Sequence, residues 1–368
     1  MERRGVMALL GTVWACTTPV ARGPVDGGQP DGGAPASDAA VAVDAAVTTD
    51  AAVTTDAAVA WDAAVMTDAA VTTDAAVASD AATTTDAAVG QDGGQPWRSS
   101  LEHCWNTSSC RRALLLSHGG DWGGAVPYGS HAAHVRAFEN GADAVKVDVR
   151  VTQDGVPMVV HSSPLALYES LDCNGRRVEE MTAAEFGGCH MVPSTTETFP
   201  RVDDTIQWAR GRINLMFTVK ETRDFPAAMA LAQALDATTF VFLEISYGDL
   251  LTTLPAIPGH AQFFYDVQVD SLAQLNSLFT LTLPPGVIMV ALDLNEFTEP
   301  EPDIAAAITT LVLPRGLHAL TPSDKLVATV DDHLQRYALG YDVLYTYNLG
   351  NGVTARTQVN LMRGITPP

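Results

Sequence analysis

From about Pro96 to the C-terminus, β-branched runs of strand length alternate with helical patterns, and this alternation restricts the fold more than any other feature. A-L-L-L-S-H (113–118) precedes the helical pattern H-A-A-H-V-R-A-F-E-N-G. D-A-V-K-V-D-V, P-M-V-V-H and R-I-N-L-M-F-T-V-K follow, the last leading into a helix over 226–235. T-F-V-F-L-E-I, A-Q-F-F-Y-D-V, G-V-I-M-V-A-L-D, G-L-H-A-L-T and Y-D-V-L-Y-T complete the series. Strands separated by helices build a parallel sheet covered by helices. Roughly 270 residues is the usual size of a (β/α)8 TIM-type barrel, the α/β fold expected here. The runs number nine where a barrel needs eight strands. Asp-Gly in T-Q-D-G (152–155) marks a tight hairpin. So 145–151 and 157–161 read as one barrel strand that runs past the rim and folds back. Residues 162–211 are then an insertion, with T-A-A-E (182–185) as a helix cap.

The first quarter of the chain reads differently. M-E-R-R and the apolar run G-V-M-A-L-L-G-T-V-W-A have the form of a signal segment over 1–16. It ends at Cys16 in V-W-A-C, similar to a bacterial lipobox, so the expectation is export to the cell envelope with lipid on Cys16, or otherwise secretion. Residues 17–96 read as a tether. Within it aspartate recurs every sixth residue from Asp38 to Asp92. Six residues of α-helix turn about 600°, so no apolar stripe forms. Alanine also buries too little to offset ordering the chain, and the aspartates repel one another. An acidic, extended, disordered tether is therefore expected before a barrel over 97–368.

A net charge of −22 leaves no basic face for nucleic acid. No run approaches the roughly 20 apolar residues of a membrane span, so membrane contact is expected only through the anchor. In an exported chain the cysteines beyond Cys16 read as disulfides. Four allow three pairings; the expected pairs are Cys104–Cys110 and Cys173–Cys189. Zinc is not expected, because the C-x-x-C spacing is absent.

Barrel chemistry sits at the C-terminal ends of strands. His118 closes the first strand. Lys146 and Asp148 share one face of the second, being two residues apart. His161 closes the hairpin. Thr218 and Lys220 share a face of the next strand, and Glu244, Asp266, Asp293 and Asn348 stand near later ends. Two histidines suit acid–base work on a phosphodiester, because each titrates near neutrality. Lysines beside them would hold the phosphate as point charges. Trp122, in the glycine-rich H-G-G-D-W-G-G, could cover the substrate or simply pack. His103, His131, His134 and His190 read as ordinary surface or core histidines.

Over about 111–349 the order of blocks resembles the glycerophosphodiester phosphodiesterase family, among the phospholipase-C-like barrels. H-G-G (118–120) stands where the family has H-R-G, and P-Y-G-S (127–130) where it has P-E-N-T. G-A-D-A-V-K-V-D-V-R-V-T-Q-D-G-V-P-M-V-V-H-S is similar to G-A-D-x-x-E-x-D-V-x-x-T-x-D-G-x-P-V-V-x-H-D. F-P-R-V-D-D-T-I, I-N-L-M-F-T-V-K and G-Y-D-V-L-Y-T-Y-N are similar to later blocks. The resemblance implies His118 and His161 as acid and base, and Lys220 on the phosphate. It also implies a small-molecule phosphodiester or lipid head group as partner. The departures fall in the metal site. Of its three carboxylates only Asp148 remains; Lys146 and Thr218 replace the others, and Gly119 replaces the arginine. A hard cation wants several anionic oxygens, so Ca²⁺ or Mg²⁺ is not expected and no other cofactor is implied. In one reading Lys146 takes over the metal's charge, as an arginine does in the similar bacterial phosphatidylinositol-specific phospholipases C. In a second, Lys146 pairs with Asp148 and the barrel only binds. In a third, Glu244, Asp266 or Asp293 rebuilds a metal site.

Overall fold

The computed structural model describes Cys104 and residues 110–284, 286–294, 296–323 and 328–365. The signal segment, Cys16, the repeat and His103 lie outside the described residues. Contacts divide the chain into Met1–Ala88 and Val89–Pro368, and the barrel belongs to the second unit. No helix among the described residues is long and apolar enough to cross a membrane.

Eight parallel strands close on themselves. They are β1 (Leu114–His118), β2 (Ala144–Val151), β4 (Asn214–Val219), β5 (Val241–Ser246), β6 (Phe264–Val269), β7 (Val287–Leu292), β8 (His318–Ser323) and β9 (Val343–Thr346). β1 pairs with both β2 and β9, which completes the ring. β3 (Pro157–Val159) pairs antiparallel with β2 alone, Val149 opposite Val159 and Val151 opposite Pro157. This is the surplus ninth strand, and the Asp-Gly hairpin accounts for it as expected.

The period-two alternation of a strand sorts β2 into two faces. Val145, Val147 and Val149 join the outer core beneath the helices. Lys146 and Asp148 face the opposite way and are 2 % exposed each. Leu114, Leu116, Met216, Phe242, Met289 and Leu320 pack as a separate inner core. Cys104 belongs to that inner core, and its carbonyl accepts from His318 Nε2 at 3.0 Å.

Among the helices, α1 (His131–Glu139) starts at Ser130, whose hydroxyl accepts from the Ala133 amide. In α2 (Ala183–Phe186), Thr182 and Glu185 form a reciprocal capping box, as T-A-A-E suggested. The insertion carries its own small core, including Met158, Leu165, Val178, Phe186 and Phe199. It closes earlier than 211. Helix α3 (Val202–Ala209) buries Val202, Ile206 and Ala209 in the outer barrel core, so the excursion ends at about Arg201. The spacing 202, 206, 209 is one helical face and was visible in the sequence. Both expected disulfides form, with Cα separations of 5.1 Å for Cys104–Cys110 and 5.7 Å for Cys173–Cys189.

The remaining helices are α4 (Phe225–Ala234), α5 (Tyr247–Thr252), α6 (Leu272–Leu278), α7 (Glu301–Ala307), α8 (Val330–Ala338) and α9 (Leu349–Met362). A buried ion pair fastens α9 to the β1–β2 seam. Asp143 Oδ2 lies 2.7 Å from Arg356 Nη1 and accepts the Leu115 amide at 2.8 Å. Asp143→Ala would strip the buried guanidinium of that counter-charge, and removing one partner of such a pair costs about 3 kcal/mol. A lower urea midpoint at unchanged m-value is the expected result; an unchanged midpoint would show that the pair does not fasten the seam.

Candidate active site

The strand register builds the site. Asp148 lies opposite Thr218, Thr218 opposite Glu244, and Glu244 opposite Asp266, so four polar residues stand at one level across β2, β4, β5 and β6. His118 lies opposite Lys146. Of the strand-end residues singled out from sequence, His118, Lys146, Asp148, Thr218, Glu244 and Asp266 therefore stand side by side, because parallel strands in register present equivalent positions together.

Asp148 is the hub. Its Oδ1 lies 2.7 Å from Lys220 Nζ and 3.7 Å from Lys146 Nζ. The Lys220 contact is an ion pair at close range without hydrogen-bond alignment, since Oδ1 has no aligned donor. Oδ2 accepts the Tyr128 hydroxyl at 2.6 Å. Burial works to raise the Asp148 pKa, but the ammonium groups of Lys220 and Lys146 outweigh it and hold the carboxyl well below the usual range. Lys146 is shared: its Nζ is also 3.9 Å from Glu244 Oε2. Glu244 in turn accepts from Thr218 Oγ1 at 2.9 Å and Gln268 Nε2 at 2.6 Å. Lys146 is thus not locked on Asp148, and Lys220 is the closer partner. Asp266 is fully buried and neither oxygen has a hydrogen-bond partner. Burial and the neighbouring Glu244 push its pKa well above the usual range.

A cleft of about 240 Å³, open solvent included, is walled by Gly119, Tyr128, Lys146, Asp148, His161 and Glu169. Val159, Val160, Met191 and Phe199 form its apolar side. His161 is held from both ends. Glu169 Oε1 accepts its amide at 3.0 Å, and Tyr168 Oη lies 3.1 Å from its Nδ1. Burial first, then Lys220 and Lys146 against the opposing Asp148, lower its pKa to about 4. His118 is more enclosed. Its ring stacks on Tyr347 at 4.2 Å and meets Tyr345 edge-on at 5.1 Å. Neither ring nitrogen has a hydrogen-bond partner, and burial followed by Lys146 lowers its pKa well below the usual value.

Tyr128 touches both imidazoles, at 5.9 Å from His118 and 6.2 Å from His161 between ring centroids. Gly119 makes room for it. Gly119 has φ +69°, and a Cβ there would fall inside the Tyr128 ring. At the position where the resembled family has an arginine, Tyr128 therefore takes the space that a side chain would fill. Trp122 packs over this cluster, its Nε1 donating to the His118 carbonyl at 3.1 Å. Sequence reasoning missed Tyr128, Tyr347 and Glu169. The P-Y-G-S block was the only signal for Tyr128.

Other candidates fall away. His134 is buried against Trp208, its pKa lowered to about 3 by burial, then by His131. His190 pairs with Asp172 on the surface. Asn348 caps α9. No group of three or more His, Cys, Asp or Glu among the described residues could hold a metal, so Asp293 does not complete a shell with Glu244 and Asp266. The residues at Asp148 do not fit a divalent ion. Both oxygens face cations or a donor, and at 4 Å an ammonium would repel a 2+ ion by about 8 kcal/mol at an effective dielectric near 20.

The glycerophosphoryl diester phosphodiesterase family model matches residues 123–246. No curated protein matches the chain. Among solved structures, a glycerophosphoryl diester phosphodiesterase from Parabacteroides distasonis is similar, with TM-score 0.58, 17% identity, and coverage of 71% of this chain and 92% of that one. A phosphodiesterase from Oleispira antarctica, in complex with the product sn-glycerol-3-phosphate, is similar at TM-score 0.53 and 17% identity, covering 66% of this chain and 96% of its own. At such identities the likeness establishes the barrel.

The depressed His161 pKa has a measurable consequence. The ring is neutral above about pH 4 in the folded protein but titrates near 6.5 when unfolded. Its contribution to stability is present above pH 6.5 and is lost as pH falls toward 4. An NMR titration should place the His161 midpoint near 4, rising in Lys220→Met as a repelling charge is removed. A midpoint near 6.5 in the unmodified protein would contradict the burial and charge assigned to it.

Proposed function

We propose that the chain is a member of the glycerophosphoryl diester phosphodiesterase family, whose model matches residues 123–246, and that it hydrolyses phosphoric diesters with His118 and His161 as acid and base and without a divalent metal. The observation that carries the reading is the pair of ammonium groups, Lys146 and Lys220, converging on Asp148 between the two histidines. A diester entering the cleft meets Lys146 and the Tyr128 hydroxyl on one wall and His161 on the other. One neutral imidazole takes a proton from the attacking water as the new P–O bond forms. The other, protonated, gives a proton to the leaving oxygen as the old P–O bond breaks. The negative charge of the bound diester favours that protonation, countering the lysines that depress both pKa values. Lys146 then supplies the fixed positive charge that stabilises the developing phosphorane. Asp148 holds both ammonium groups and the Tyr128 hydroxyl in place. The product complex of the Oleispira enzyme makes a glycerophosphate-containing diester the reasonable substrate class to try first. Export with lipid on Cys16 belongs to the same reading, on the strength of the signal-like start.

His118 lies behind Tyr128 and Tyr347 instead of on the cleft wall, so turnover requires the 119–124 segment and its Trp122 to move aside. That enclosure favours, as the second reading, a barrel that binds a phosphodiester without cleaving it. An assay on a panel of glycerophosphodiesters, with and without chelator, separates the two. Activity should survive chelation and fall about 10²–10³-fold in Lys146→Met, the scale for losing one oxyanion donor. It should fall about 10²–10⁴-fold in His118→Asn and His161→Asn. Loss of activity on chelation would refute the metal-free reading. Binding without turnover would establish the second.

A further inference from the structure

Three of the seven large apolar side chains exposed among the described residues fall within five positions of one another: Leu167 at 62 %, Tyr168 at 60 % and Leu171 at 71 %. They sit on and just after a hydrogen-bonded turn of the insertion, in which the Ala166 carbonyl accepts from the amides of Glu169 and Ser170. Leu167 and Tyr168 lie within that turn and Leu171 just after it, all three exposed. Leu165, just before it, is 1 % exposed in the insertion's own core, so the segment had an interior available and did not use it for these residues. Nor can the turn collapse inward. Glu169 Oε1 accepts the amides of His161 and Ser162 at 3.0 and 3.1 Å, the Glu169 carbonyl accepts the Val192 amide at 2.9 Å, and Cys173 is tied to Cys189. The same turn carries Tyr168, whose hydroxyl meets His161 Nδ1. One face of the turn therefore fixes the candidate catalytic histidine, and the other holds apolar side chains in water beside the cleft.

We propose that this turn is a bilayer-contacting surface, and that the diester taken by the cleft is an acylated one drawn from a membrane. The second half of this rests on the proposed phosphodiesterase reading. Continuity with the site selects a lipid over a second protein: the patch adjoins His161, and the cleft's side formed by Val159, Val160, Met191 and Phe199 is itself apolar. Charge selects the kind of lipid. A chain of net charge −22 has no overall attraction to anionic membranes, so an uncharged or zwitterionic surface is the one proposed. This is a membrane contact separate from any anchor at Cys16.

The test uses the full chain carrying Cys16→Ser, so that no lipid anchor contributes, with phosphatidylcholine vesicles. The protein should co-sediment with them, and Leu167→Ser/Leu171→Ser should weaken partitioning by at least about tenfold, since two exposed leucines supply most of the apolar contact. Both positions are exposed, and an unchanged thermal melt by circular dichroism checks that the variant folds. In parallel, the variant should lose turnover of a vesicle-borne long-chain diester about tenfold while keeping that of a water-soluble diester with the same head group. Vesicle binding that is absent, or unaffected by the substitutions, overturns the proposal whatever the activity. A leucine-dependent dimer in lipid-free solution overturns it too, by making the face a contact between copies. Leucine-dependent binding with no turnover of either diester upholds the membrane surface and sinks the phosphodiesterase reading instead.

Discussion

A buried carboxylate cannot stay ionised in a barrel interior without compensation, and the site depends on how Asp148 obtains it. Two ammonium groups and a phenol converge on it. Taking each charge out of water costs several kcal/mol, which the mutual attraction recovers only with every partner in place. The cluster is therefore mutually dependent. Asp148 fixes Lys146, Lys220 and Tyr128, and they keep it negative. Glu244, tied to Thr218 and Gln268, steadies the other side of Lys146. Asp266 beside it has no hydrogen-bond partner on either oxygen, and burial pushes its pKa well above the usual range.

On the proposed reading, the differences from the pattern of the resembled family form one coordinated change. A lysine replaces a carboxylate at 146, a threonine replaces another at 218, and glycine replaces arginine at 119. On the proposed reading the lysine supplies the positive charge that an ion would bring. The threonine, having no charge of its own, donates to Glu244 Oε2, the oxygen that lies 3.9 Å from Lys146 Nζ. The glycine admits Tyr128, whose hydroxyl completes the Asp148 shell.

Much of this was legible in the sequence because it rests on period and register. Alternating runs gave the barrel, Asp-Gly gave the hairpin, and the two-residue spacing of Lys146 and Asp148 put both inside. What the sequence did not disclose is three-dimensional. That Lys220 and not Lys146 is the nearest partner of Asp148 depends on how β2 and β4 align. That Tyr128 fills the space above Gly119 depends on the path of a loop between β1 and α1. The end of the insertion was misplaced because a short helix on the barrel core, Val202–Ala209, was counted with the loops before it. The role of Glu169 had no signal at all, since its partners are backbone amides.

The central claim is that lysine charge stands where a metal ion would act, and linkage measures it without requiring turnover. Two ligands that share a site alter each other's affinity, whereas independent ones do not. Calorimetric titration of sn-glycerol-3-phosphate into the full chain, with millimolar Ca²⁺ or Mg²⁺ and then with chelator, reads this directly. The account predicts the same affinity in both conditions and a drop of about tenfold or more in Lys146→Met, in line with the loss of a charged contact. An affinity that rises about tenfold with the divalent ion, or that is indifferent to Lys146, would contradict it.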